Sequence, residues 1–248
     1  MSSEVVLPLE SSNDVRLVGG KAASLCQLIQ AGFNVPKGFV ITTKALKSDS
    51  KSLEASILNH YDRLGTKYVA VRSSAANEDG KNASWAGQFD TFLNTDRADL
   101  IENIKKCWAS AKSGRARAYA RGRSLETGAV AVIVQAMVNG QVSGVAFSVH
   151  PVTKNPDHVV IEATPGLAEG VVSGTITPDN YVFDKKSGSV VDGTLASTKA
   201  HLFNKQIKDV AVAVQKLESY FGFPVDVEWA FSNGELFILQ SRPITTLG

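Results

Sequence analysis

The C-terminal stretch Asp226-Val-Glu-Trp-Ala-Phe-Ser-Asn-Gly-Glu-Leu-Phe-Ile-Leu-Gln-Ser-Arg-Pro243 decides the fold that we expect for this chain. Two runs that alternate polar and apolar residues flank an Asn-Gly pair, a pattern typical of a β-hairpin. A three-residue loop, Ser232 to Gly234, would carry its glycine in the left-handed third position. Because side chains alternate along a strand, this loop predicts a polar face with Asp226, Glu228, Gln240 and Arg242. The apolar face would hold Val225, Val227, Trp229, Phe237 and Leu239.

The register of this hairpin decides whether its polar residues can act together. A three-residue loop places Glu228 opposite Ile238, and it places Gln240 opposite Asp226. A two-residue Asn-Gly turn would instead put Glu228 and Gln240 on opposite faces. Carboxylate and amide oxygens beside an arginine suit a magnesium-bridged polyphosphate, because Mg²⁺ prefers hard oxygen ligands and a fixed cation suits phosphoryl oxygens. The simpler alternative is a sheet edge with solubilising polar residues.

Two cations in the first half of the chain stand where phosphate contacts are expected. Lys21 follows a glycine pair and opens a helix, whose N-terminal amides and positive dipole end suit an anion. This motif is not a Walker A loop, and a surface lysine after a flexible turn is the alternative. Arg72 ends an apolar strand, where its planar fork could bind a phosphate. The alternative for Arg72 is an ion pair with Glu78 or Asp79.

Composition restricts the class of protein. The 248 residues suffice for one large domain or two small lobes, and 44% hydrophobic with 20% charged residues is ordinary for a globular fold. A net charge of +2 gives no whole-protein argument for binding nucleic acid or an anionic membrane. The longest apolar run, Ala129 to Val134, is far shorter than the roughly twenty residues of a membrane span. Two isolated cysteines and no visible secretory signal favour a cytoplasmic protein with reduced thiols.

The pattern of elements predicts an α+β fold with two lobes. Helical and strand-like patterns mix in the first half, whereas the second half is strand-rich with one amphipathic helix at 204–220. Charge density falls and β-branched residues increase after Gly122–Gly128. We therefore expect a first lobe at residues 1–125 and a second, rich in antiparallel strands, at residues 126–248.

Seven blocks along the chain resemble, in order, the nucleotide-binding domain of phosphoenolpyruvate synthases, pyruvate phosphate dikinases and rifampin phosphotransferases. The blocks are Leu17-Val-Gly-Gly-Lys-Ala-Ala-Ser-Leu, Val35-Pro-Lys-Gly-Phe-Val-Ile-Thr-Thr, Val69-Ala-Val-Arg-Ser-Ser-Ala-Ala-Asn-Glu-Asp, Ser84-Trp-Ala-Gly-Gln, Val142-Ser-Gly-Val-Ala-Phe-Ser-Val-His-Pro-Val-Thr, Gly166-Leu-Ala-Glu-Gly-Val-Val-Ser-Gly and Leu239-Gln-Ser-Arg-Pro-Ile-Thr. The resemblance implies an ATP-grasp fold, in which two lobes clamp ATP and Mg²⁺.

The resemblance also implies roles for individual residues. Lys21 and Arg72 match the phosphate-contacting cations of the first lobe, and Arg242 matches the catalytic arginine of the second lobe. Glu228 and Gln240 match the metal-binding pair. The remaining nucleotide-binding positions are Gln135, Ala136, Met137 and Val138, which match a hinge strand that reads adenine, and Glu169, in a Gly-Leu-Gly-Glu block where Ala168 replaces a glycine.

The implied activity is an Mg·ATP-dependent phosphotransferase of the kinase or dikinase type. Family members continue into a swivelling domain whose histidine accepts the phosphoryl group, but this chain stops at Gly248 and is also shorter between Thr43 and Tyr68. The acceptor is therefore expected to be a histidine on a separate domain or a small molecule. We prefer an ordinary loop role for His150. The alternatives are an ATP-grasp ligase that activates a carboxylate as an acylphosphate, and a non-catalytic nucleotide-binding module.

Overall fold

Two antiparallel sheets organise the chain, each within its own unit. The structure is a computed structural model, and it describes residues 5–47, 49–75, 91–111, 130–167, 176–196 and 201–245. One unit comprises Met1–Gln30 and Pro36–Met137, and the other comprises Ala31–Val35 and Val138–Gly248. Within the described ranges, no helix combines the length and the apolar character that crossing a membrane requires.

The first unit has a five-stranded sheet in the order β1-β2-β5-β3-β4. Its strands are β1 (Val6–Pro8), β2 (Gly38–Ile41), β3 (Val69–Ser74), β4 (Thr91–Thr95) and β5 (Ala131–Ala136). Its helices are α1 (Val15–Gln30), α2 (Ser50–Leu64) and α3 (Leu100–Ala111), with short 3-10 helices at Leu9–Ser11 and Thr43–Lys47. The strands carry β-branched residues that form a core with apolar residues of α2 and α3, including Ile57 and Ile104.

Gly19 interrupts α1 and lets the helix approach the end of β3. Its backbone (φ 79°, ψ 169°) is non-helical and suits only glycine. The Gly20 amide donates to the Ala75 carbonyl oxygen (2.9 Å), and the Ala22 amide donates to Ser74 Oγ (3.1 Å). A Cβ atom at Gly19 would lie 2.1 Å from the Ser74 carbonyl oxygen. The glycine therefore holds the backbone on both sides of Lys21 against the end of β3.

The second unit has a six-stranded sheet in the order β11-β10-β6-β7-β8-β9. Its strands are β6 (Val142–Phe147), β7 (His158–Pro165), β8 (Asp179–Asp184), β9 (Ser189–Thr194), β10 (Val225–Ser232) and β11 (Glu235–Pro243). One helix, α4 (Asn204–Phe221), packs against β6, β7, β8 and β10. It buries Ile207, Val210, Val214 and Leu217, which recur at the spacing of one helical face.

The division between the units differs from the predicted boundary between residues 125 and 126. Strand β5 pairs with β2 and β3, so the first unit extends to Met137. The β-branched composition of β5 led us to place it in the strand-rich second half. Composition does not reveal the pairing partners of a strand. The short segment Ala31–Val35 belongs to the second unit instead. There, Ile238 N donates to Asn34 O (2.8 Å) and Asn34 Nδ2 donates to Leu236 O (3.2 Å).

Replacing Gly19 by alanine should destabilise the protein more than replacing Gly65, a matched glycine of the same unit. Gly65 also has a positive φ (66°), but no atom lies within 4 Å of its would-be Cβ. Gly65→Ala should therefore cost only the left-handed backbone penalty of about 1–2 kcal/mol. Gly19→Ala adds a clash with a strand carbonyl, so we expect a loss of at least about 3 kcal/mol. Chemical denaturation of both variants measures these values, and equal losses would show that the close approach at Gly19 is unimportant.

Candidate functional site

The tip of the β10–β11 hairpin is tighter than the three-residue loop considered above. Ser232 pairs with Glu235, which leaves Asn233 and Gly234 as a two-residue turn. Both turn residues have positive φ, 52° and 80°. Asparagine and glycine tolerate this conformation, which is typical of a type I′ hairpin turn. The three-residue loop is therefore wrong, because the Asn-Gly pair closes the turn without a third residue.

A β-bulge restores the shared polar face that a two-residue turn alone would have destroyed. Trp229 pairs with Ile238, but the next pair is Glu228 with Gln240, so the register skips Leu239. One additional residue on β11 shifts all later side chains to the other face. The predicted pairings of Glu228 with Ile238 and of Gln240 with Asp226 are wrong. The predicted face is nevertheless confirmed, because Glu228 faces Gln240 and Asp226 faces Arg242.

The same bulge corrects the predicted apolar face. Ile238, which is 2% exposed, lies opposite the fully buried Trp229. Phe237 lies opposite Ala230 instead, and therefore on the side of the polar residues. Leu239 is the additional residue at the bulge. The prediction placed Phe237 and Leu239 on the apolar face because it continued a strict two-residue alternation along β11, which a bulge interrupts.

Asp226 and Arg242 form a close ion pair on the polar face. Arg242 Nε and Nη2 lie 2.8 and 2.7 Å from Asp226 Oδ2. Burial raises the pKa of Asp226, the Arg242 charge and hydrogen bond oppose this shift, and the Glu228 charge adds to it. Because burial raises this pKa even beside a guanidinium, Asp226 lies in a poorly solvated part of the polar face. The ion pair fixes the orientation of the arginine fork.

Glu228 and Gln240 lie directly opposite each other, and a further acidic residue, Glu162, shares their face. Gln240 is 4% exposed and lies directly across from Glu228. On the other side of β10, Val145 pairs with Glu228 and also with Glu162 of β7. These four residues therefore form one row across three strand pairs. Burial, and secondarily the Asp226 charge, raise the pKa of Glu162.

Sequence reasoning missed Glu162. The sequence does contain a signal for a functional role of this residue, because Glu162 is the one acidic residue in the otherwise apolar run from Val159 to Ala163. A charged residue in a buried strand is costly unless it has a function or a partner. Its pairing with β6, which brings it into the row of Glu228, could not be read from local sequence.

The first unit holds the other two predicted cations. Arg72 lies in β3 between Ile133 of β5 and Thr91 of β4. Two residues further along the chain, Ser74 accepts the amide hydrogen of Ala22, so that Lys21 lies beside the same strand end. Glu78, Asp79 and Glu169 lie outside the described residues. The alternative ion pair of Arg72 and the predicted nucleotide contact of Glu169 both remain predictions.

The predicted hinge segment, Gln135 to Val138, runs from the first unit into the second. The buried Gln135 side chain donates from Nε2 to the Pro36 carbonyl oxygen (3.2 Å). The amides of Ala136 and Met137 donate to the carbonyl oxygens of Lys37 (2.8 Å) and Tyr68 (3.0 Å). Three of the four residues are thus tied to the first unit, and Val138 begins the second.

The hydrogen bonds of His150 favour the ordinary loop role. Its Nδ1 accepts the amide hydrogens of Val152 and Thr153, both at 3.2 Å. A ring nitrogen that accepts carries no proton, so the proton of the neutral ring lies on Nε2. The lone pair that would attack a phosphoryl group is therefore already used to hold a turn.

Curated relatives match nearly the whole chain. A probable phosphoenolpyruvate synthase of Methanothermobacter thermautotrophicus is 34% identical over 308 residues, which covers 95% of this chain and 45% of that protein. The phosphoenolpyruvate synthase of Pyrococcus furiosus is 31% identical, covering 96% of this chain and 43% of that protein. An uncharacterised phosphotransferase, YvkC of Bacillus subtilis, is 31% identical, covering 98% and 35%. The chain spans less than half the length of these relatives.

Solved structures share the fold at low sequence identity. D-alanyl-alanine synthetase A of Vibrio cholerae superposes with a TM-score of 0.52 and 10% identity, covering 96% of this chain and 58% of that one. An L-amino acid ligase of Bacillus licheniformis gives 0.50 and 13%, covering 95% and 44%. Together with the two antiparallel sheets and their helices, these likenesses confirm the predicted α+β ATP-grasp fold.

A family model covers most of the chain in two overlapping matches. Its description is pyruvate phosphate dikinase, AMP/ATP-binding domain, and it matches residues 47–204 and 194–248. The relatives and the fold agree with this match. The chain therefore belongs to the pyruvate phosphate dikinase AMP/ATP-binding domain family.

Proposed function

We propose that this chain is an Mg·ATP-dependent phosphotransferase domain that cleaves ATP and passes a phosphoryl group to an acceptor. The observation that carries the proposal is the hairpin register, which joins a carboxylate–amide pair and an ion-paired arginine on one face. Phosphoryl transfer needs positioning and charge stabilisation more than a side-chain nucleophile. The family membership of the chain and the names of its relatives, phosphoenolpyruvate synthases and a phosphotransferase, support the same chemistry.

Arg242 is the residue to which we assign charge stabilisation at the transferred phosphoryl group. Its guanidinium is held by two contacts to Asp226, so little reorganisation would be needed during the reaction. Its planar fork suits phosphoryl oxygens better than an ammonium would. Lys21 and Arg72 of the first unit are assigned to the phosphates as well.

Glu228 and Gln240 fit a magnesium ion. They offer hard oxygen ligands from directly opposed positions of β10 and β11. Within the described residues, no three His, Cys, Asp or Glu side chains could hold a metal ion by themselves. This suits Mg²⁺, which commonly takes one or two protein ligands and completes its shell with phosphate oxygens and water. The ion would supply positive charge to the polyphosphate.

The nucleotide base is assigned to the hinge segment. The Gln135 side chain and the amides of Ala136 and Met137 hold this segment in place, and we assign base recognition to the backbone of Gln135, Ala136, Met137 and Val138. Glu169 is kept as a further nucleotide contact. Because ATP is a cytoplasmic substrate and both cysteines are buried and form no disulfide, the proposal includes a cytoplasmic location.

The acceptor is either a histidine on a separate domain or a small molecule. Phosphorus NMR of ATP consumption, with a separately expressed histidine domain and a metabolite panel as acceptors, tests the proposal. The family chemistry predicts AMP as product. Release of ADP with an acylphosphate would indicate a ligase, and nucleotide binding without turnover would leave a binding module.

Glu228→Ala should abolish magnesium-dependent turnover without unfolding the protein. Loss of one of two oxygen ligands should lower the rate of ATP cleavage by about 100-fold or more. Glu235→Ala, which removes an exposed carboxylate from the same hairpin, is the control and should keep the rate. Magnesium titrations of both variants measure the effect. Equal rates for the two variants would remove Glu228 from the metal site.

Arg242→Lys should cause a large fall in rate although it keeps the charge. The lysine loses the fork that Asp226 orients, so we expect the rate of phosphoryl transfer to fall by about 100-fold. Arg97→Lys is the control, because Arg97 forms an exposed ion pair with Asp62 (2.8 Å) in the other unit. Circular dichroism verifies the fold of both variants. A near-normal rate for Arg242→Lys would mean that this arginine has only a structural role.

A further inference from the structure

Glu162 is a partly buried carboxylate that has no role in the assignments to metal, phosphate and base. It lies in β7 between Val145 of β6 and Asn180 of β8, neither of which carries a charge. Burial and the Asp226 charge both raise the pKa of Glu162, so its surroundings disfavour the ionised form. Among the described residues, none forms an ion pair with its side chain or donates a hydrogen bond to it. A carboxylate held in a strand at this cost points to a ligand that compensates it.

A second polar group on the same face of β7 also lacks a partner. Thr164 is 0% exposed, and no group of the described residues forms a hydrogen bond with its Oγ1. Because side chains alternate along a strand, Thr164 and Glu162 project from the same face, about 7 Å apart. Buried polar groups in native proteins are usually paired, so this hydroxyl calls for a water or a ligand as its partner. The two residues together suit a ligand that carries hydroxyl groups.

The pairing of the strands gives the order of the polar groups along this face. Gly166, which follows β7, donates its amide hydrogen to Gln141 O (3.1 Å). Gln141 lies three residues after Val138, the last residue of the hinge segment. From this end, successive rows of the face contain Thr164 with Ser143 and Ala230, then Glu162 with Glu228 and Gln240, then Val160 with Asp226 and Arg242. Glu162 therefore lies in the middle row, between the hinge end of β7 and the row of Arg242.

We propose that Glu162 binds the 2′- and 3′-hydroxyl groups of the nucleotide ribose. The ribose of ATP joins the base to the triphosphate, and this order matches the order of hinge end, Glu162 and Arg242 on the face. The two carboxylate oxygens can accept one hydrogen bond from each hydroxyl, which would offset the cost of burying the ionised form. Carboxylates bind ribose hydroxyls in dinucleotide sites in the same way. The inference rests on the proposed function, which assigns the base to the hinge and the phosphates to Arg242.

The spacing of the carboxylates separates this role from that of a metal ligand. Glu162 and Glu228 lie two strands apart, which places their Cα atoms about 10 Å from each other. Two oxygens on one Mg²⁺ are at most about 4 Å apart, so parallel side chains at this spacing do not share an ion. A nucleotide whose phosphates bind the ion at Glu228 can instead extend its ribose toward Glu162.

Titration calorimetry with Mg²⁺ and ADP, 2′-deoxy-ADP or 3′-deoxy-ADP tests this contact by binding alone. We expect the wild-type protein to bind ADP about 10–100-fold more tightly than either deoxy analogue, the loss typical of a hydrogen bond to a charged group. Glu162→Ala should weaken ADP binding by a similar factor and should bind the three nucleotides alike. Glu235→Ala, which removes an exposed carboxylate from β11, is the control and should keep the wild-type preference.

Thermal unfolding distinguishes a ligand contact from a structural role of Glu162. Because its carboxylate is partly buried without a compensating partner, Glu162→Ala should leave the unfolding midpoint unchanged or raise it. Equal affinities of the wild-type protein for ADP and the deoxy analogues would overturn the inference, and this comparison does not depend on the folding of a variant. A preference that persists in Glu162→Ala would overturn it as well. A preference for ADP without any ATP cleavage would instead overturn the proposed function and support the ribose contact.

Discussion

The β10–β11 hairpin holds a guanidinium and carboxylates on one poorly solvated face. The packing of the second unit on the other face of β10 must stabilise the hairpin against the cost of burying these charges. Asp226 is 7% exposed, and its carboxylate is compensated by two guanidinium nitrogens of Arg242. Breaking one partner out of a buried pair typically costs about 3–5 kcal/mol. The other face of β10 packs into the core of the unit, where Val225, Val227 and Trp229 are all 0% exposed. This packing fixes the strand that carries the ion pair. Helix α4 packs against the same strand.

The hairpin shows how far local sequence reasoning reaches. The alternation of polar and apolar residues along β10 and β11 predicted which four side chains share a face, and Asn233-Gly234 marked the turn. The bulge at Leu239 could not be predicted, because β11 reads as an ordinary strand. Two errors, a loop one residue too long and a bulge that was overlooked, therefore compensated each other. The prediction of which side chains share the polar face was therefore correct, whereas the predicted residue pairs across the hairpin were wrong.

Elements with a strong local signal were predictable, whereas their partners were not. Helices α1, α2 and α4 follow from apolar periodicity and from end signals such as Gly65 and Gly222, both left-handed caps. Strand β5 lies in the half of the chain that was predicted to be strand-rich, but its pairing with β2 and β3 assigns it to the first unit. Glu162 was missed for the same reason, since only the β6–β7 register brings it beside Val145 and Glu228.

The charge balance of the polar face indicates why polyphosphate binding there should depend on a divalent cation. Three carboxylates, of Asp226, Glu228 and Glu162, share this face with the guanidinium of Arg242. The raised pKa values of Asp226 and Glu162 reflect burial first and neighbouring carboxylates second. Because Asp226 lies 2.7 Å from Arg242, it cancels much of the attraction that the arginine would exert on an anion. A polyphosphate on a face that one guanidinium shares with three carboxylates would need a cation for attraction, and under the proposed function Arg242, oriented by Asp226, stabilises charge on the transferred phosphoryl group.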